Sequence, residues 1–100
     1  MDHNDHVNLL KPANLPPGGT WADFGAGGGA FTLALRELTG PTADIIAIDK
    51  DNARLNGLER DYRIRFGDSN NLHIIPGDFT HPLDMPALDG AVMANSLHYF

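Results

Sequence analysis

A parallel α/β sheet is predicted for this chain by three observations. Strand-like and helix-like segments alternate along it. A glycine-rich turn joins the first strand to the first full helix. The second strand, Asp44-Ile-Ile-Ala-Ile-Asp49, is apolar through its interior. Such an interior suits a strand covered on both faces, the usual setting of a parallel sheet. One hundred residues make one small domain with a modest core.

The elements follow in order. Val7 to Leu15 is expected to form a short helix, ended by Pro16, Pro17, Gly18 and Gly19. Thr20 to Phe24 reads as the first strand. The helix after the glycines runs from about Gly29 to Thr39, with Phe31, Ala34, Leu35 and Leu38 at i, i+3, i+4 and i+7, and Gly40-Pro41 stops it. Asp44 to Asp49 is the second strand. Asp51 or Asn52 can cap the next helix, whose apolar stripe is Leu55, Leu58 and Tyr62. Gly57 weakens that helix by roughly 1 kcal/mol relative to alanine. Leu72 to Ile75 is the third strand and Asp89 to Ala94 the fourth, and Asn95 to Phe100 is expected to open a loop or a helix. Between the third and fourth strands the link around Pro82 and Pro86 is too short for a crossover helix of a dozen or more residues.

Composition narrows the function classes. The net charge of −6 and the lack of a basic run argue against a nucleic-acid backbone as partner of this segment. With no cysteine, disulfides, thiolate catalysis and cysteine metal sites are excluded. The polar, acidic start Met1 to His6 is unlike a secretory signal, and no apolar run approaches the ~20 residues of a membrane span. A cytoplasmic protein that does not engage a membrane is the expectation.

The chemistry is concentrated in Thr20-Trp-Ala-Asp-Phe-Gly-Ala-Gly-Gly-Gly-Ala-Phe-Thr32. Gly25, Gly27 and Gly29 let the backbone turn sharply and let a ligand approach the main chain. Asp49 stands at the carboxyl end of the second strand, where a carboxylate can accept hydrogen bonds from a ribose diol. Gly77-Asp78-Phe79 ends the third strand, where an adenine could be read, and Asn95-Ser96 ends the fourth. These are the carboxyl ends of parallel strands, where open α/β sheets bind ligands. Two adenosine ligands compete, because Gly25 to Ala30 also fits the dinucleotide fingerprint G-x-G-x-x-A. Asp23 discriminates between them. At ~5 Å and an effective dielectric of 20, a like-charge pair costs on the order of 3 kcal/mol, which disfavours a diphosphate. S-adenosylmethionine, with its ammonium and sulfonium, is favoured by the same carboxylate.

On these residues the chain resembles the N-terminal, cofactor-binding half of class I S-adenosylmethionine-dependent methyltransferases. Trp21 to Gly29 looks like that family's first motif, acidic–x–G–x–G–x–G. Ile46 to Asp49 looks like its second, Gly77-Asp78-Phe79 like its adenine-contact motif, and Met93 to His98 like its fourth. The resemblance implies a Rossmann-like parallel sheet in the order 3-2-1-4, with its full helices mainly on one face. It implies S-adenosylmethionine as cofactor, with Asp23, Gly25, Gly27 and Gly29 at the methionine end. Asp49, with Lys50 beside it, would lie on the ribose, Asp78 on the adenine amino group, Phe79 beside the ring and Asn95 near the methyl-transfer position. Residues 1–19 would be the segment that covers the cofactor, and 20–100 the cofactor domain. The family sheet runs 3-2-1-4-5-7-6, so strands five to seven and the substrate-side loops they carry are not among these residues. Little or no turnover is therefore expected of the 100 residues by themselves, scored as S-adenosylhomocysteine release over a panel of acceptors.

The acceptor is expected to be a small molecule. Asn95 and His98 are weak candidates for a catalytic role, and no metal site is expected. The runner-up reading is an NAD-type dinucleotide-binding oxidoreductase fragment. A non-catalytic interaction domain on the same scaffold is the third. His3 and His6 read as part of a mobile polar tail, His73 and His81 as structural or exposed, and Trp21 as core. An unpaired edge on the fourth strand and an uncovered sheet face would favour a homodimer.

Overall fold

The computed structural model describes residues 3–10, 15–77, 87–93 and 96–99. The elements run α1 (His3–Leu10), β1 (Thr20–Phe24), α2 (Ala30–Thr39), β2 (Asp44–Asp49), α3 (Asn52–Phe66), β3 (Leu72–Pro76), β4 (Gly90–Met93) and β5 (Ser96–Tyr99). Asp78, Phe79, His81, Asn95 and the link carrying Pro82 and Pro86 lie outside the described residues.

The sheet has the order β3-β2-β1-β4-β5. β1 lies between β2 and β4, parallel to both, and β2 is parallel to β3. The mixed α/β class and the order 3-2-1-4 are those expected. α2 and α3 lie on the same face, as two right-handed crossovers moving in one direction require. Leu35 of α2 and Leu55, Leu58 and Tyr62 of α3 share one cluster with Trp21, Ile45, Ala47 and Val92 of the strands. Burying a leucine of this kind contributes roughly 1.5–3 kcal/mol. Both helices have the ends their sequence announces. Asp51 caps α3 by accepting from the Arg54 N–H at 3.2 Å. Gly40, at φ 85°, donates its N–H to the Arg36 carbonyl and closes α2. Pro76 is tolerated because β3 is an edge strand.

Three expectations are corrected. The N-terminal helix, His3–Leu10, starts four residues before the expected Val7; residues 11–14 lie outside the described residues, and Leu15 is not helical. His3 and His6 are therefore helical residues and not a loose tail. The His6 ring stands edge-on to Phe31 at 5.1 Å, His3 Nε2 lies 3.6 Å from a Glu37 oxygen, and Leu10 is buried in the helix-side cluster. α1 is thus docked along α2. A polar run of six residues hides this, because its anchors lie on another helix.

Second, Ser96–Tyr99 is a strand, antiparallel to β4, with Met93 opposite Ser96 and Ala91 opposite His98. Two residues separate the paired Met93 and Ser96, the shortest common hairpin connection. A loop or a helix is expected from Asn95 to Phe100, but four residues of backbone pairing to β4 make Ser96–Tyr99 a strand. Third, the grounds for self-association change, because the outer sheet edge is β5 and not β4. The outer edge of β4 is paired with β5. The sheet face away from α2 and α3 is not open either, since Ala22, Ile46, Ile48 and Ala91 are at most 4% exposed, with Leu88 and Met93 packed against them. Val92 and Ile74 belong to the helix-side cluster. Among the described residues no helix is long and apolar enough to cross a membrane.

Candidate functional site

The site is built where β1 and β2 end side by side. The Gly25 and Ala26 N–H groups both donate to the Ile48 carbonyl, each at 2.8 Å. The Gly27 N–H donates to Asp49 Oδ2 at 2.7 Å, and the Gly29 N–H to the Ala26 carbonyl at 2.8 Å. The loop between β1 and α2 is therefore laced to the end of β2. Gly29 combines φ +86° with the tightest surroundings, because a Cβ there would run into Leu58 of α3. Gly25, at φ +74°, has nothing within 4 Å of such a Cβ, and neither has Gly28. The loop thus packs through Gly29 and leaves open space at Gly25 and Gly28, where a ligand can reach the main chain.

Asp49 is half-buried and gathers the loop ends. Oδ2 accepts from Gly27, Oδ1 accepts from the Asp51 N–H at 2.9 Å, and its backbone carbonyl accepts from the Gly77 N–H at 2.9 Å. The Asp51 and Gly27 N–H bonds hold its carboxyl below the usual carboxylate range, helped by the charges of Arg54 and Lys50. An ionised carboxylate has about four acceptor positions. Two are used, so the carboxylate can accept further hydrogen bonds, such as those of a sugar diol, without releasing the loop.

Asp23 has a different setting. It lies on the helix side of β1 and is 3% exposed. Thr32, in the first turn of α2, donates to it twice: Oγ1 to Asp23 Oδ2 at 2.8 Å, and the backbone N–H to the same carboxylate. Gly29, the N-cap of α2, has no side chain with which to cap it. Asp23 supplies that cap from the neighbouring strand. Burial pushes its pKa from 3.8 to about 6, against the lowering effect of the Thr32 bonds, and the like charge of Asp49 pushes the same way as burial.

The structure brings Asp23, Gly25, Gly27, Gly29, Asp49 and Lys50 into one constellation. His98 is not in a loop at the carboxyl edge. It is exposed on β5 opposite Ala91, two residues back from the end of β4. Two residues at the site escape the sequence reading. Arg54 brings its Nη1 to 3.2 Å from where a Gly27 Cβ would stand, so a guanidinium lies beside the loop at its junction with α3. Thr32 is fully buried. Its signal is the spacing Thr32, Leu35, Thr39, an i, i+3, i+7 stripe in which every member is buried. A stripe counted from apolar residues alone passes over it.

No family model and no curated protein matches the chain. Solved structures do. TrmN from Thermus thermophilus is 27% identical, with a TM-score of 0.74 over 91% of this chain and 27% of that one. A putative rRNA-methylase from Clostridium thermocellum is 13% identical, with a TM-score of 0.72 over 88% of this chain and 47% of that one. Coclaurine N-methyltransferase, bound to N-methylheliamine and SAH, is 20% identical, with a TM-score of 0.62 over 76% of this chain and 22% of that one. This chain therefore spans between about a fifth and a half of the length of each.

Proposed function

We propose, for a chain whose fold is that of the class I S-adenosylmethionine-dependent methyltransferases, that the β1–α2 loop and the end of β2 form the cofactor site of such an enzyme. One observation carries this reading: the Asp49 carboxylate, anchored by the Gly27 N–H, keeps acceptor positions free at the carboxyl end of β2. In this reading Asp49 holds the ribose hydroxyls. The open main chain at Gly25 and Gly28 receives the amino-acid end, and Asp23 offers its charge to the ammonium and sulfonium. Asp78 and Phe79 would read the adenine and Asn95 would lie near the methyl group, with residues 1–19 over the cofactor. The cofactor supplies a methyl carbon open to in-line displacement. The protein's part is to hold that carbon and the acceptor in line, where positioning does most of the work. The acceptor remains proposed as a small molecule. The charge of −6 does not decide against RNA, since one of the neighbouring structures is a putative rRNA-methylase.

Ultraviolet crosslinking of methyl-labelled S-adenosylmethionine, mapped by peptide mass, tests the placement. Label is expected on peptides within residues 20–50 or on those carrying Asp78, Phe79 or Asn95, and is expected to be displaced by S-adenosylhomocysteine. Label confined to other segments, or displaced by NAD and not by S-adenosylhomocysteine, contradicts it.

A further inference from the structure

We propose that Thr32 is a positioning residue of the cofactor site, whose hydroxyl orients the Asp23 carboxylate and keeps it an anion for the cationic end of the ligand. The inference rests on the methyltransferase reading and assigns a role to a residue that touches no ligand in that reading.

A carboxylate that is 3% exposed must be neutralised, paired or hydrogen-bonded. Among the described residues no cation pairs with Asp23. Among the described residues, the charged groups near this end of the sheet are Asp49 of β2, which repels it, Asp51 at the start of α3, and Lys50 and Arg54, which act on Asp49. What favours the anion is Thr32, through its hydroxyl and its N–H. The N–H bond survives any side-chain change. The hydroxyl bond is the adjustable one. It also fixes direction, because Thr32 Oγ1 is committed to Oδ2, 2.8 Å away. Without the hydroxyl, the same burial acts on a carboxylate with one donor fewer. The acid form is then favoured over a wider pH range, and the acid form has no charge to offer an ammonium or a sulfonium.

Asp49 does not confuse the readout. Its carboxyl is held below the usual range, so it stays ionised throughout the window in which Asp23, at about 6, titrates. Affinity for a cationic ligand is therefore expected to be full above that value and to fall as the pH drops through it.

The test is calorimetric titration of S-adenosylhomocysteine, whose ammonium persists over this range, from pH 5.5 to 8.5. The proteins are the wild type, Thr32→Val and Thr32→Ser. Losing one hydrogen bond to a charged group corresponds to about one pH unit. The midpoint for Thr32→Val is thus expected about one unit above the wild type, with affinity about threefold lower at pH 6.5 and a shrinking gap above pH 8. Thr32→Ser, which restores the donor, is expected to return the wild-type midpoint. Where valine at this buried position prevents folding, Thr32→Ala removes the same donor. The titration of the Asp23 carboxyl carbon by NMR, without ligand, then reads the same upward displacement. A folded Thr32→Val protein with the wild-type midpoint overturns the proposal, as does a uniform loss of affinity at every pH, which would mark Thr32 as structural only. A wild type that binds no S-adenosylhomocysteine at any pH overturns the cofactor reading itself, and the role of Thr32 with it.

Discussion

Gly29→Ala is expected to destabilise the domain by about 2–5 kcal/mol, far more than the same change at Gly25. Two costs add at Gly29. Its φ of +86° is one that an L side chain adopts at a penalty of roughly 1–2 kcal/mol. The new methyl would also stand against the Leu58 side chain, with Cγ only 2.9 Å away. Leu58 is 1% exposed and held between α3 and the sheet, so it has nowhere to retreat, and overpacking of this kind costs about 1–3 kcal/mol. Gly25→Ala carries the conformational cost alone, since nothing lies within 4 Å of its Cβ position. Urea unfolding of the two variants beside the wild type measures the difference. Equal destabilisation at the two positions would show that α3 does not press on the loop as described.

Asp49→Ala is expected to abolish most cofactor affinity while leaving the fold in place. The variant loses the acceptor for the Gly27 and Asp51 N–H groups, but this corner is only half-buried and water can replace those bonds. Water cannot replace the proposed bonds to the ribose hydroxyls without competing with the ligand. Each such bond to a charged group is worth about 1.5–3 kcal/mol, so losing one or two lowers affinity by roughly tenfold to twenty-thousandfold. Asp49→Asn, which keeps one acceptor oxygen, is expected to fall between. Titration of S-adenosylhomocysteine into each folded variant checks the series. Unchanged affinity in Asp49→Ala would remove the ribose contact from the account.

Much of this was legible in the residues because the signals are local. The apolar run Ile45 to Ile48 marks a strand covered on both faces, and its neighbours bury it as expected. The glycines after β1 and the carboxylate ending β2 mark a candidate site from spacing alone, and the hydrogen bonds between them show that they meet. What was not legible depends on long-range contacts. α1 is a weakly patterned helix whose place is set by Phe31 and Glu37 on another element. β5 exists through pairing with β4, a partner that Ser96-Leu-His-Tyr99 does not announce. Thr32 and Arg54 earn their places by what lies above them, the Asp23 carboxylate and the Gly27 backbone. The sequence marks Asp23 as a charge facing a ligand, and the structure adds its tie to Thr32 in the first turn of α2.

The central claim is that this loop takes S-adenosylmethionine and not a dinucleotide, and its product is the decisive ligand because it probes the site without turnover. Calorimetric titration of the wild-type chain at pH 7.5 with S-adenosylhomocysteine, and separately with NAD, tests this most directly. Saturable binding of S-adenosylhomocysteine at one site is predicted, with no measurable heat from NAD, whose diphosphate would meet the carboxylate of Asp23. Saturable binding of NAD with none of S-adenosylhomocysteine would contradict it and assign the glycine loop to a dinucleotide.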